Sequence, residues 1–182
     1  KLSRLLLECG VPFVHLNVKT PKNETNLPGL KAWQIPRGVH QRNIGLNWLR
    51  KNKRLGIDNG VLYIADDDNV YDLRLFKEMR YTKRVSTWPV AFAGEMPVEG
   101  CVTTADNPDS VSYFRHVVAP WRPFPIDMSA FAVNLNLVLS HPNALFRFTT
   151  IPAMQESIFL RALGINDSNE FEPKANGCTE VG

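Results

Sequence analysis

Gly60-Val61-Leu62-Tyr63-Ile64-Ala65-Asp66-Asp67-Asp68-Asn69 is the stretch whose reading decides the fold class. Its unbroken apolar row reads as a β-strand buried on both faces, as inside an α/β sheet. The row ends in three consecutive carboxylates. Beyond them, Asp72 is placed to cap a helix whose apolar face is Leu73, Phe76 and Met79, with Leu75 four before Met79. A strand thus delivers three negative charges to its carboxyl end, where open α/β sheets bind ligands. Like charges so close repel one another, and packing does not ask for them. A divalent cation resolves the repulsion, and oxygen-only donors suit Mg²⁺ or Mn²⁺. Held by one or two carboxylates, such an ion completes its shell with water and substrate phosphates. The first expectation is therefore a metal-bridged phosphate ligand. Asp and Asn are also common in plain strand-to-helix turns, but three clustered charges favour the metal. The cluster fixes a metal and not a reaction, because phosphatases and nucleases also carry acids at strand ends.

The bulk numbers narrow the classes. A chain of 182 residues with 44% hydrophobic content is long enough for one well-packed domain. With 21 basic and 18 acidic residues the net charge is +3, too small to argue for a nucleic-acid partner but tolerant of an anionic substrate. No apolar run approaches the roughly 20 residues that span a bilayer, and no signal-peptide pattern opens the chain. Cys9, Cys101 and Cys178 show neither metal-ligand nor redox spacing, and at least one is expected to be simply buried. Asn23-Glu24-Thr25 and Asn166-Asp167-Ser168 are glycosylation sequons, which lean toward the secretory pathway.

Around the acidic strand the pattern alternates helix and strand. Leu2, Leu5, Leu6 and Cys9 have helical spacing before Gly10, and Val14, Leu16 and Val18 alternate as a strand within residues 11–18. A chain that opens with a helix leading into a strand reads as if an earlier strand were missing. Residues 20–38 carry Pro21, Pro28, Gly29, Pro36 and Gly38 and read as a long loop, of a length often functional. A helix follows over 39–52. Near its start Arg37 and Arg42 are either solvated or cationic partners of a phosphate ligand, and the residues leave both readings open. Residues 85–96 form a β-type segment with Pro89 at an edge or bulge. Residues 97–110 read as a polar surface loop in which only Glu99 has defensible chemistry, and 112–118 as a short strand. Ala130–Leu139 is apolar core, and a helix begins at Met154-Gln155-Glu156-Ser157. Glu156 falls in its first turn, where the helix dipole by itself favours an acid. Past Gly164 the chain is polar, with no evident closing element.

A second unusual stretch is Trp121-Arg122-Pro123-Phe124-Pro125-Ile126-Asp127-Met128. Two prolines hold it extended and display an aromatic, a cation and a carboxylate, which suits a sugar ring. The residues alone fit better with a loop packed by Trp121 and Phe124 and tied by an Arg122–Asp127 salt bridge.

Taken together, several stretches resemble the β-1,3-glucuronosyltransferase family. The matching pieces are Pro36-Arg37-Gly38-Val39 with Gln41-Arg42-Asn43, Ala65-Asp66-Asp67-Asp68-Asn69, residues 85–94, Arg122 to Met128, Gln155-Glu156-Ser157, and Glu172-Pro173-Lys174-Ala175 with 176–179. The resemblance implies an α/β fold of Rossmann-like GT-A type, a mixed sheet flanked by helices and lacking its first strand. It implies a single catalytic domain, 1–182, with a donor part (1–96) and an acceptor part (97–182), read as incomplete. Asn176-Gly177-Cys178-Thr179 is one residue longer than the family's Asn-Cys-Thr. It further implies Mn²⁺ bound by Asp68, UDP-glucuronic acid contacted by Arg37, Arg42, Asp66 and Asp67, and a galactose-terminated glycan contacted by Glu99, Arg122 and Asp127. Glu156 becomes the catalytic base, and the resemblance alone reverses the plainer readings of that residue and of the proline-rich loop. A Golgi-lumen location, a membrane anchor outside these residues and a homodimer are implied as well. The activity would be inverting transfer of glucuronic acid to the galactose 3-hydroxyl. Two other classes compete: a non-catalytic carbohydrate-binding fragment, and a metal-dependent phosphohydrolase. The latter lacks support because His15, His40, His116 and His141 show no spacing for a second metal.

Overall fold

A computed structural model describes residues 2–25, 27–29, 35–67, 69–91, 96–117, 119–148, 151 and 153–180. Asp68 and residues 92–95 lie outside the described residues. In chain order the elements are α1 (Leu2–Glu8), α2 (Val39–Asn52), β1 (Val61–Tyr63), α3 (Leu73–Glu78), β2 (Val85–Thr87), β3 (Val90–Ala91), β4 (Val98–Val102), β5 (Tyr113–Arg115), β6 (Phe131–Asn134), α4 (Leu135–Ser140), α5 (Gln155–Ala162) and β7 (Phe171–Pro173). The architecture is mixed α/β. A four-stranded sheet runs β1-β6-β2-β7, with β6 antiparallel to β1 and β2, and β2 parallel to β7. A second, antiparallel sheet runs β3-β4-β5. Among the described residues no helix is long and apolar enough to cross a membrane.

Helix α2 spans the residues expected from its pattern, and α3 is capped as expected, with Asp72 accepting a hydrogen bond from the Arg74 amide at 2.8 Å. The inward face of α3 is corrected. Leu75 and Met79 are buried, whereas Leu73 is 78% exposed and Phe76 38% exposed. The helix is only six residues long and tightens into a 3₁₀ turn over Met79–Tyr81, which turns Met79 under the sheet. The acidic strand is also shorter and less buried than expected. Each residue of β1 is half-buried, and among the described residues the strand pairs with β6 alone, so it is an edge. Residues 12–20 form no strand, and Val11, Phe13 and Val14 stay exposed although the alternation is present. A period-2 pattern makes a strand only where a partner supplies the ladder.

Residues 98–102 overturn the surface-loop reading. They form β4, the middle strand of the second sheet, with Glu99, Gly100 and Cys101 buried. Gly100 has φ 140°, and a Cβ there would stand 2.7 Å from the Pro89 Cα. The break at Trp88-Pro89 between β2 and β3 lets the chain change sheets, and the glycine lets β4 pass closely beneath it. Beyond Gly164, β7 adds a strand to the main sheet where none was expected. It leads into one turn, Ala175–Cys178, whose four residues are all left-handed (φ 52°, 54°, 64° and 67°). Its last residue forms a disulfide with Cys101. Only Cys9 is a free cysteine among the described residues, and it is exposed.

The main core lies between the sheets, α2, α4 and α5. Phe146 stacks on Phe159 at 4.4 Å between centroids, and Phe171 meets Phe114 and Phe124 edge-on or tilted at 5.1 and 5.3 Å. Burying each such ring contributes about 2–3 kcal/mol. The outcome is a rigid floor beneath α5 and the proline-rich loop.

Candidate active site

Three segments meet beside the end of β1: the start of α2, the proline-rich loop and the first turn of α5. Helix α2 begins after Gly38, which is left-handed (φ 73°), and the Arg42 guanidinium folds back over it. A Cβ on Gly38 would lie 3.0 Å from Arg42 Nη1. A cation in the first turn opposes the helix dipole, so other partners must hold it there. Arg42 donates to the Arg37 carbonyl at 2.8 Å and to Gln155 Oε1 at 3.4 Å, and it pairs with Asp66 Oδ1 at 3.4 Å. Its guanidinium also lies 5.5 Å from the Phe146 ring centroid. Asp66 is fixed in turn through its carbonyl, which accepts from Tyr71 Oη at 2.7 Å. The side chains of Arg37 and Asp67 are exposed at the rim.

In the proline-rich loop, Phe124 is buried and Trp121 is 63% exposed, so only one of the two aromatics packs the loop. Ser157 Oγ of α5 accepts from the Phe124 amide at 3.1 Å and donates to the Phe124 carbonyl at 3.0 Å. That double bond ties loop and helix together. Arg122 is 6% exposed and donates to the carbonyls of Ala119, Ile126 and Ala153 at 3.2, 3.4 and 2.7 Å. Its ion pair runs to Glu156 at 3.6 Å, not to Asp127. Asp127 instead caps a 3₁₀ turn, accepting from the Ser129 amide at 2.9 Å and from its hydroxyl at 2.5 Å. The Ser129 carbonyl accepts from Tyr63 Oη at 2.9 Å and from Trp88 Nε1 at 3.1 Å, which fixes the turn on the sheet.

Glu156 occupies the first turn of α5 and its Oε2 is buried, with no hydrogen-bond partner among the described residues. Burial pushes its carboxyl up to about 7, with Asp127 adding to the rise, while its own backbone N–H, Arg122 and Arg42 oppose it. A carboxylate poised near neutrality with a free lone pair is what a general base requires.

Glu99, on β4, stands behind this group. Its side chain is 2% exposed and meets His116 Nε2 at 2.9 Å, and the same ring nitrogen lies 3.1 Å from Arg122 Nη2. Burial, first of all, pushes the Glu99 carboxyl upward, Asp127 adds to this, and the Val117 amide and Arg122 oppose it. The fold thus brings together Arg42, Asp66, Glu99, Arg122, Asp127 and Glu156, six of the nine residues singled out in the sequence. Arg37 and Asp67 lie at the margin and Asp68 outside the described residues. Sequence reasoning passed over His116 and Tyr71. Neither sits in a motif, and no local spacing points to them.

Among the described residues no three His, Cys, Asp or Glu side chains converge to hold a metal ion. Asp66 and Asp67 nevertheless present hard oxygen donors at the sheet end. Hard oxygen donors at this sheet end are of the kind a Mg²⁺- or Mn²⁺-like ion takes, and the ligand expected from the sequence, Asp68, lies outside the described residues. A cavity of about 590 Å³ lies between residues 12–16, α2 and β1, and is lined mainly by apolar side chains such as Phe13, Leu46, Trp48 and Leu62. Of the six gathered residues it includes only Arg42, so it is not where the carboxylates converge.

Residues 1–182 match glycosyltransferase family 43. The chain is 46% identical over 180 residues to galactosylgalactosylxylosylprotein 3-beta-glucuronosyltransferase sqv-8 of Caenorhabditis elegans, covering 99% of this chain and 49% of that protein. It is 44% identical over 181 residues to galactosylgalactosylxylosylprotein 3-beta-glucuronosyltransferase 1 of Homo sapiens, covering 98% and 53%. To galactosylgalactosylxylosylprotein 3-beta-glucuronosyltransferase 2 of Homo sapiens it is 45% identical over 182 residues, covering 99% and 53%. The chain spans about half the length of the curated relatives it matches. With the match running from its first residue to its last, the chain belongs to glycosyltransferase family 43.

Proposed function

We propose that this chain carries catalytic residues of an inverting β-1,3-glucuronosyltransferase. The reaction moves glucuronic acid from UDP-glucuronic acid to the 3-hydroxyl of a terminal galactose in glycosaminoglycan-linker or related glycans. The observation that carries the reading is Glu156, a buried carboxyl held near neutrality, with one oxygen lacking a hydrogen-bond partner among the described residues and a cation 3.6 Å away. The names of the relatives support the substrate class.

In this reading the Glu156 carboxylate takes the proton of the galactose 3-hydroxyl as its oxygen attacks the anomeric carbon from the face opposite UDP. The new C–O bond forms as the sugar–phosphate bond breaks, and the electron pair leaves with UDP. One displacement turns the α-linked donor into a β-linked product. Arg42 and Arg37 balance the donor's anionic groups, Asp66 and Asp67 flank the nucleoside, with Asp67 on the ribose, and Arg122 and Asp127 face the acceptor. Glu99 stands one residue behind that face. Asp68 would hold Mn²⁺, which when bound would supply electrostatic stabilisation of the departing charge. The sheet is assigned to the Rossmann-like GT-A type. A Golgi-lumen location is supported by the Cys101–Cys178 disulfide, which belongs to oxidising compartments, and by the exposed sequon asparagines Asn23 and Asn166.

Calorimetry of UDP binding with and without Mn²⁺, on this chain and on Asp68→Ala, tests the donor site. Mn²⁺-dependent binding that is lost in Asp68→Ala is expected. Binding of a galactose-ended glycan by a folded chain that ignores both UDP and Mn²⁺ would overturn the transferase reading in favour of a carbohydrate-binding module.

A further inference from the structure

His116 Nε2 is contacted from two sides, by Glu99 Oε2 at 2.9 Å and by Arg122 Nη2 at 3.1 Å. An imidazole nitrogen presents in its plane either a proton or a lone pair, and a guanidinium only donates. If Nε2 bears a proton, that N–H faces the N–H of Arg122. If Nε2 bears a lone pair, Arg122 is satisfied, but an ionised Glu99 would set lone pair against lone pair. With that lone pair accepting from Arg122, the Glu99 contact loses its repulsion only when Glu99 is neutral. The surroundings agree with that arrangement. Glu99 is 2% exposed, its other oxygen has no hydrogen-bond partner among the described residues, and burial outweighs the Val117 amide and Arg122 in disfavouring its charge.

The consequence reaches Glu156. Arg122 is held by three loop carbonyls and by His116 Nε2, and of these only the imidazole contact comes from β5's side of the site. We propose that His116 is a positioning residue: with a neutral Glu99 behind it, its Nε2 accepts from Arg122 and keeps the guanidinium turned toward Glu156. Glu99 then acts on the acceptor side through His116 and Arg122 and not by direct contact. The charges that bear on Glu156 are Arg122 and Asp127 from the loop and Arg42 from α2, and those that bear on Glu99 are Arg122 and Asp127. The inference rests on the reading of Glu156 as the base, but its test does not depend on turnover.

The chain with ¹³C-carboxyl-labelled glutamate, its Glu156 signal assigned with Glu156→Gln, is titrated alongside His116→Phe and His116→Gln. Arg122 favours ionised Glu156, so releasing the guanidinium must move the Glu156 midpoint upward. In His116→Phe the midpoint is expected to rise by half a unit or more, about a threefold change in proton affinity. His116→Gln is expected to hold the wild-type midpoint, because its amide oxygen accepts from Arg122. An unchanged midpoint in His116→Phe, or equal shifts in both variants, overturns the proposal. ¹⁵N spectra of the unmutated chain give a second readout that needs no variant to fold. A lone-pair-bearing Nε2 at neutral pH is expected, and a protonated Nε2 overturns the assignment. Transfer assays then separate the two readings. If the midpoints move as stated and no glucuronosyl transfer occurs, positioning stands and the catalytic reading falls. If transfer occurs, His116→Phe lowers kcat more at pH 6.5 than at pH 8 and leaves the donor KM unchanged.

Discussion

Arg122 Nη1 faces Glu156 Oε2 at 3.6 Å, near enough to balance its charge and too far to occupy its lone pair with a hydrogen bond. The same nitrogen spends its short bond, 2.7 Å, on the Ala153 carbonyl. The carboxylate therefore has an electrostatic partner that leaves its lone pairs uncommitted. A closer, bidentate pair would hold Glu156 ionised but consume the acceptor that a base needs.

Replacing Glu156 with Gln removes the base and keeps the shape. Transfer to galactose should fall by about 10²–10⁴-fold, whereas Mn²⁺-dependent UDP binding, measured by calorimetry, should stay within error of wild type. Loss of UDP binding in a folded Glu156→Gln chain would mean that the residue serves the donor and not the acceptor.

The same residue sets a pH dependence of stability. Its folded value, about 7, lies above the ordinary 4.5, so between those values the folded chain binds more protons than the unfolded one. Stability contributed by the neutral carboxyl is then present below about 4.5 and is lost as pH rises toward and past 7, by about 2–4 kcal/mol. Urea denaturation should show Glu156→Gln more stable than wild type at pH 8 and equal to it at pH 4. Equal stability at both would remove burial as the origin of the raised carboxyl.

Arg42 is held by geometry as much as by charge. Arg42→Lys keeps the cation but cannot reach the Arg37 carbonyl, Gln155 and Asp66 together with one ammonium. The donor KM should rise by about 10–100-fold, the equivalent of one or two charge-assisted hydrogen bonds, with a smaller change in kcat. A purely electrostatic role would leave the lysine variant close to wild type.

The Cys101–Cys178 bond closes a loop of 77 residues in sequence that contains the proline-rich stretch and α5. Changing both cysteines to serine should lower stability by about 2–5 kcal/mol in denaturant titration. Because Cys101 and Glu99 share β4, the double variant should also weaken acceptor KM more than UDP binding.

What the sequence by itself determined is local. The bounds of α2, the Asp72 cap, the start of α5 at Gln155 and the acids that follow β1 all follow from signals within a few neighbouring residues. The site acids and arginines were legible mainly because their motifs occur together and in order, which a single motif would not have achieved. The tertiary structure decided what depends on partners. Whether alternation at 11–18 becomes a strand depends on a neighbour that pairs with it, and no described strand does. Residues 97–110 read as a surface loop from their polar, turn-rich composition, yet 98–102 form β4, the centre of a sheet. The inward face of α3 followed the sheet and the 3₁₀ turn, not the first hydrophobic position after the cap. The disulfide joins positions 77 residues apart, and Arg42 meets Gln155 across 113. His116 has meaning only because β5 delivers it between Glu99 and Arg122. Helix periods and caps are fixed by covalent neighbours, whereas burial, ion pairing and proton position are fixed by groups the chain brings together only when folded.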